Sequence, residues 1–297
     1  MIQIKGISKS FGKTTALNRV NLEVPEGSSM ALLGRNGAGK TTLAKILLGL
    51  VRADAGSASI GGISVSDPSS RKEVRYLPEN VVFHSWAKPM QLFRQLERVR
   101  RSVVPRDFRE RASQLACDHL LDRPIGKMSR GQRQRIALAL ATCGSPSVLL
   151  LDEPSSGLDP EGRVHLRSLI RGLSASGATI LLNSHLLGEV ESVCRRAAFI
   201  REGRLVGQGL LEELSRSTDE VEIRTEEPES MARALGRSGL SAASGSDEES
   251  VIVSMGSRAG TVMDVARAVV ATGQPFTSIV LRQETLEDIF LRMMRED

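Results

Sequence analysis

The sequence predicts an α/β protein with a small α+β domain appended toward its C-terminal end. Three observations carry that expectation. Short apolar runs at residues 30–33, 148–151 and 179–182 are separated by helical periodicity, and the wholly apolar one at 148–151 is of the kind that sits in the middle of a parallel sheet. The first run passes through a glycine-rich turn straight into a helix, the context that a phosphate-binding loop requires. After about residue 215 the character changes. Residues 215–250 are rich in Ser, Glu, Asp and Gly, yet alternating apolar positions persist. A first domain is therefore expected over residues 1–215 and a second over 216–297.

Taken in order, Ile2 and Ile4, then Val20, Leu22 and Val24, alternate with polar neighbours as strands with one buried face do. From Lys40 the spacing of Leu43, Ile46, Leu47 and Leu50 is helical. Residues 89–144 read as helical and basic, without a strand. A helix over 160–174 leads to the strand at 179–182, and another helix follows His185. The strands at 197–200 and 204–206 are joined by Glu202-Gly203, residues suited to a tight hairpin turn. In the second domain Val221, Ile223, Val251 and Val253 alternate like strands. Residues 262–270 read as a helix and 276–281 as a strand. The segment 285–294 is an amphipathic helix with Leu286, Ile289, Phe290 and Met293 on one face.

Composition narrows the partners. Aromatic residues make up 3% of the 297, too few for the stacking platforms that bind single-stranded nucleic acid. The net charge of +5 suits nucleic acid, an anionic membrane surface or an anionic ligand without choosing among them. The cluster Arg98, Arg100 and Arg101 reads as a solvated helix face. Cys117, Cys143 and Cys194 form no CxxC pair, which predicts reduced, buried thiols in a cytoplasmic setting. No secretory signal is visible at the start, and no apolar run approaches the roughly 20 residues that span a bilayer. Membrane work is expected to need another polypeptide.

The chemistry is concentrated in three motifs. Gly34-Arg35-Asn36-Gly37-Ala38-Gly39-Lys40-Thr41, followed by Thr42, satisfies GxxxxGK[ST] in full. Its glycines let backbone N–H groups cradle phosphate, Lys40 brings a point charge to the β/γ-phosphates, and the Thr41 hydroxyl can ligate Mg²⁺. The strand at 148–151 runs into Asp152-Glu153-Pro154, where the aspartate can hold the metal shell and the glutamate can polarise an attacking water. Between these lies Met128-Ser129-Arg130-Gly131-Gln132, whose hydroxyl and helix start make a second anion-binding end. Two separate phosphate-binding elements on one chain suggest sites shared between two copies.

These segments resemble the ABC transporter ATPase family over about residues 1–215, in the family's order. The resemblance implies a P-loop NTPase fold with a RecA-like core, an antiparallel β subdomain and a helical subdomain. It implies ATP hydrolysis with Mg²⁺, a homodimer of ATPase subunits and a separate transmembrane permease subunit, with no nucleic acid. Phe11 matches the aromatic that stacks on adenine, and Ser129, Gly131 and Gln132 match the signature. Ser156-Gly157-Leu158-Asp159 matches the D-loop, and His185 matches the switch histidine. Glu153 then becomes the catalytic carboxylate, assisted by His185 and Lys40, with Thr41, Asp152 and Glu79 toward the metal. Two positions depart from the pattern: Glu79 replaces the Q-loop glutamine and Arg130 replaces a signature glycine.

Two resemblances bear on what the hydrolysis powers. Glu284-Thr285-Leu286-Glu287-Asp288-Ile289-Phe290 looks like the closing segment of ABC-2-type exporter ATPases, which implies a subunit on the cytoplasmic face of the membrane. The alternative is a soluble ATPase of ribosomes or nucleic acid, whose usual second cassette or coiled-coil insertion is missing here. Leu77-Pro78-Glu79-Asn80, with the appended domain, is also similar to the ATPase of the nitrous-oxide-reductase maturation transporter, linked to copper-site assembly.

Overall fold

The computed structural model describes residues 1–100, 103–245, 249–255 and 261–295. The chain divides into one unit of Met1–Glu212 with Phe290–Asp297, and a second of Glu213–Ile289.

The first unit begins with β1 (Ile2–Phe11) and β2 (Thr14–Val24), which pair antiparallel. Ile2, Ile4 and Ile7 face the core opposite Leu17, Val20, Leu22 and Val24. β3 (Ser29–Leu33) is buried throughout and leads into α1 (Lys40–Leu47). The helix is shorter than its apolar spacing suggests. It stops before Gly49, whose φ is 65°, and leaves Leu50 68% exposed.

β4 (Ala55–Ile60) and β5 (Ile63–Ser64) complete the antiparallel sheet in the order β2-β1-β4-β5. Neither strand is marked by the sequence, because Ala-Gly-Ser-Ala-Ser carries no apolar alternation. β6 (Val74–Leu77) follows, then α2 (Pro89–Val99), α3 (Pro105–Gln114) and α4 (Arg130–Thr142). Phe93 of α2 stacks on Phe108 of α3 with ring centroids 5.0 Å apart.

β7 (Val148–Asp152), α5 (Pro160–Ala175), β8 (Thr179–Asn183) and α6 (Leu187–Val193) return the chain to the main sheet. β9 (Arg196–Arg201) and β10 (Arg204–Leu210) close it. Its order is β10-β9-β3-β8-β7-β6, parallel except where β10 turns back on β9. β3, β7 and β8 are buried at every position, as central parallel strands are when both faces are covered. The hairpin turn falls at Glu202-Gly203, both with positive φ, which matches the twist of the flanking strands. α7 (Leu211–Leu214) ends this run.

The second unit is a four-stranded antiparallel sheet in the order β12-β13-β11-β14. Its elements are β11 (Ser217–Arg224), α8 (Pro228–Arg237), β12 (Ser241–Ser244), β13 (Ser250–Ser254), α9 (Val262–Ala271) and β14 (Ser278–Gln283). Val221, Ile223, Val251 and Val253 pack with Met231, Leu235, Val265 and Val269 into its core. β14 starts two residues later than Phe276, which is itself 39% exposed. α10 (Leu286–Met294) buries Leu286 and Ile289 and half-buries Phe290 and Met293.

Two expectations about single residues meet different fates. All three cysteines are buried free thiols, and burial pushes Cys117 and Cys194 up to about 12 and Cys143 to about 11. Arg100 does not belong to a solvated face. It lies just beyond α2, half-buried, and donates to the carbonyls of Lys72 at 2.6 Å and Val74 at 3.0 Å. Arg98 is exposed as expected, and Arg101 lies outside the described residues.

Candidate nucleotide-binding site

The loop between β3 and α1 is shaped by what its glycines exclude. A Cβ on Gly34 would run into the Ile200 carbonyl of β9. On Gly39, whose φ is 107°, it would meet the Ala16 carbonyl at 2.5 Å. Gly39 is also the N-cap of α1 and provides no side-chain cap. The first N–H groups of that helix therefore have neither an intrahelical partner nor a capping oxygen, and the helix dipole adds positive charge there. Lys40 Nζ lies back over the loop and donates to the carbonyls of Gly34 at 2.6 Å and Arg35 at 3.1 Å. Burial lowers its pKa, while the charges of Glu153, Asp152 and Glu79 pull it the other way.

Opposite the loop, β7 delivers Asp152, buried. The Thr41 hydroxyl donates to its Oδ2 at 3.2 Å and the Asn183 side-chain amide to its Oδ1 at 3.3 Å. Tyr76 on β6 stands beside the same carboxylate. Its burial, then the Asp152 charge, pushes the phenol up to about 12.

Glu153 comes next, with φ of 49°. A side chain bearing a Cβ pays about 1–2 kcal/mol to sit in the left-handed region. The Glu153 N–H, donating to the Asn183 carbonyl at 2.9 Å, holds it there. Such strain clusters at working sites. His185 Nδ1 lies 2.7 Å from Glu153 Oε2. Neither that buried oxygen nor Asn183 Oδ1 accepts a hydrogen bond.

One cleft thus brings together residues 36–42, Glu79, Asp152, Glu153 and His185 of the expected set. Ser156 and Ala16 also line it. Ala16 carries no signal in the sequence, since an alanine on a strand announces nothing. Gly34 contributes through its carbonyl, and Arg35 lines a neighbouring hollow with Arg201 and Glu202. The donor set fits Mg²⁺: hard oxygens from Thr41 and Asp152, with Glu79 nearby, and buried carboxyl and amide oxygens short of partners. When bound, the ion would neutralise charge on phosphate oxygens.

Phe11, Ser129, Gly131, Gln132 and Asp159 do not line this cleft. Phe11 is 51% exposed, with Lys9 Nζ 5.4 Å from its ring centroid, so an adenine would share the ring with that ammonium. Ser129 caps α4: its hydroxyl accepts from Gln132 N at 3.2 Å while Gln132 Oε1 accepts from Ser129 N at 3.0 Å, a complete capping box. Arg130 turns onto the D-loop, where its Nη2 donates to the Ser156 hydroxyl at 2.7 Å and its side chain lies over Gly157. Asp159 caps α5 through Gly162 N and pairs with Arg135 at 2.5 Å, a bond that holds its carboxyl below the usual range. Gln134 donates to the Pro154 carbonyl at 3.0 Å, so α4 is tied to the segment after β7 at three points.

The profile of the ABC transporter family matches residues 17–156. An uncharacterized ABC transporter ATP-binding protein of Synechocystis is 34% identical, over 96% of this chain and 80% of its own length. The chain belongs to the ABC transporter ATP-binding family. The lantibiotic transport ATP-binding protein SrtF of Streptococcus pyogenes is 35% identical over 69% of this chain and 89% of its own length. A solved structure of an ATP-binding subunit of an ABC transporter superposes with a TM-score of 0.67 at 26% identity, over 72% of this chain and 91% of that one. The fold is that of the ABC ATPase cassette, and the reaction of this ABC ATPase is ATP hydrolysis.

Proposed function

We propose that the chain is one of two identical ATPase subunits of an ABC-2-type exporter, driving a separate permease from the cytoplasmic face of the membrane. The observation that carries this reading is the division of labour between two places on one chain. The cleft holds the loop, the metal-side oxygens and the Glu153–His185 pair, whereas Ser129 stands outside it with helix N–H groups of its own. A second copy, turned head to tail, would bring its Ser129 to the phosphates held by Lys40. Among the described residues no helix is long and apolar enough to cross a membrane, so the reading assigns that part to the permease.

In this arrangement Lys40 and the N–H groups of α1 hold and orient the β/γ-phosphates. Glu153 accepts a proton from the attacking water, and its strained backbone aims the carboxylate into the cleft. His185, beside that carboxylate, faces the γ-phosphate. The likeness to a lantibiotic transport protein and the Thr285-Leu286-Glu287-Asp288 ending favour export over action on ribosomes or nucleic acid. The copper-site assembly reading rests on Leu77-Pro78-Glu79-Asn80 and the appended unit, and the cargo is set by the permease. The test is an ATP-driven association assay on Glu153→Gln. MgATP should convert it to a dimer seen by light scattering. A strictly monomeric ATP-bound state, with membrane partner present, would overturn the proposal.

A further inference from the structure

α4 begins with charge of the unfavourable sign. Arg130 is its first helical residue, and no acidic side chain lies in the first turn. The N-terminal end of a helix carries partial positive charge, so a cation there weakens the helix. Arg130 is also exposed, so it adds little to a buried core. Neither helix stability nor packing accounts for it, and its contacts point elsewhere.

The guanidinium Nη2 donates to the Ser156 hydroxyl at 2.7 Å. To reach it the side chain lies along Gly157, where a Cβ would stand 2.9 Å from Arg130 Cγ and 3.0 Å from Cδ and Nε. Gly131 closes on the same loop, since a Cβ on it would meet the Gly157 carbonyl at 2.7 Å. Ser156 in turn lines the nucleotide cleft, and its N–H donates to the Glu153 carbonyl at 3.0 Å. The left-handed backbone of Glu153, with φ of 49°, persists only where its surroundings over-determine it. The Asn183 carbonyl holds its N–H and the Ser156 N–H holds its carbonyl. The second brace depends on a half-buried serine whose own side chain is held by Arg130.

We infer that Arg130 is a positioning residue for ATP hydrolysis: it clamps Ser156, and through Ser156 it keeps the Glu153 carboxylate aimed at the attacking water. The inference rests on Glu153 taking the proton of that water, as proposed above, and adds a residue that acts on it from outside the cleft. The clamp needs an N–H donor at the end of a long stem. Arg130 does not line the cleft, so nucleotide binding is independent of it while turnover is not. A group that loses its aim slows the chemical step without loosening the ligand.

The experiment measures kcat and KM for MgATP on the full chain as wild type, Arg130→Met, Arg130→Lys, Ser156→Ala and the Arg130→Met/Ser156→Ala double variant. Methionine keeps an unbranched stem along Gly157 and removes the donor, whereas lysine keeps a donor. Arg130→Met should lower kcat about tenfold with KM unchanged, a modest misplacement effect. Arg130→Lys should stay within about twofold of wild type, since a hydroxyl needs only one donor. Ser156→Ala should match Arg130→Met, and the double variant should fall no further, because two residues that act through one bond are not additive. Unchanged melting temperatures establish folding, and Ser156→Ala carries the same readouts should Arg130→Met fail to fold. Parental kcat in Arg130→Met overturns the inference and leaves the role of Glu153 standing. So does a rise in KM in place of the fall in kcat, or a double variant that falls by the product of the single effects. Parental turnover by Glu153→Gln would instead remove the role of Glu153, and the inference with it.

Discussion

Two helices begin at the segments that the proposed function sets against phosphate, and they begin differently. α1 starts at Gly39 with no capping side chain, and its loop glycines hold the chain where only a hydrogen fits. α4 starts at Ser129 with its hydroxyl and Gln132 already spent on each other's backbone. An uncapped helix start keeps its N–H groups for a ligand, whereas a capped one is stable alone and gives up its cap only to a competitor of comparable strength. The first end is ready before nucleotide arrives. The second is expected to wait for the other copy.

The comparison can be broken by substitution, and the largest effect belongs to the ready end. Glu153→Gln should bind ATP yet lose turnover by about a hundredfold or more, measured as phosphate release at saturating MgATP. Turnover at the parental rate would remove Glu153 from the chemistry. Lys40→Ala should instead weaken nucleotide binding itself, seen by titration with a fluorescent ATP analogue.

The capped end is sharpened by Ser129→Asp. Aspartate caps a helix as well as serine does, so the unfolding free energy should stay within about a few tenths of a kcal/mol of the parent. Its charge would face phosphate in a shared site, so turnover should fall about tenfold or more. Unchanged turnover would mean that Ser129 is only a cap.

Gly39→Ala tests the opposite property. The positive φ and the Ala16 carbonyl should make it destabilising by about 1–3 kcal/mol in a urea melt, together with loss of ATP binding. The smallest effect is that of Ser129→Ala, about 1 kcal/mol of stability from the missing cap. A melt indistinguishable from wild type would show the capping box to be worth nothing here.

Legibility in the sequence follows how strongly a residue's role depends on its neighbours in the chain. β3, β7 and β8 were readable because a central parallel strand needs apolar side chains on both faces. β4 and β5 were not, since a strand of small polar residues leaves no alternation to read. In the site, Lys40, Thr41 and Asp152 announce themselves through local motifs, and the cleft unites them. The left-handed backbone of Glu153 has no signature in its own side chain. Nothing around Arg130 or Arg100 in the sequence marks them out, and only the folded chain shows one lying over Gly157 and the other donating to the Lys72 and Val74 carbonyls. Long flexible cations reach partners far away in sequence, which is why their destinations escape a linear reading.

The three buried thiols have a practical side. With their ionisation pushed to about 11 or 12, only about one in a thousand or fewer would be thiolate at pH 8, and thiolate is the nucleophile that attacks alkylating reagents. The folded protein should therefore ignore maleimide dyes while it stays closed. A cysteine introduced at the exposed end of α2 or beside Ser129 would be the sole reactive position without removal of the native ones. The same silence makes labelling of Cys117, Cys143 and Cys194 a clock for opening, each thiol timing the element that covers it.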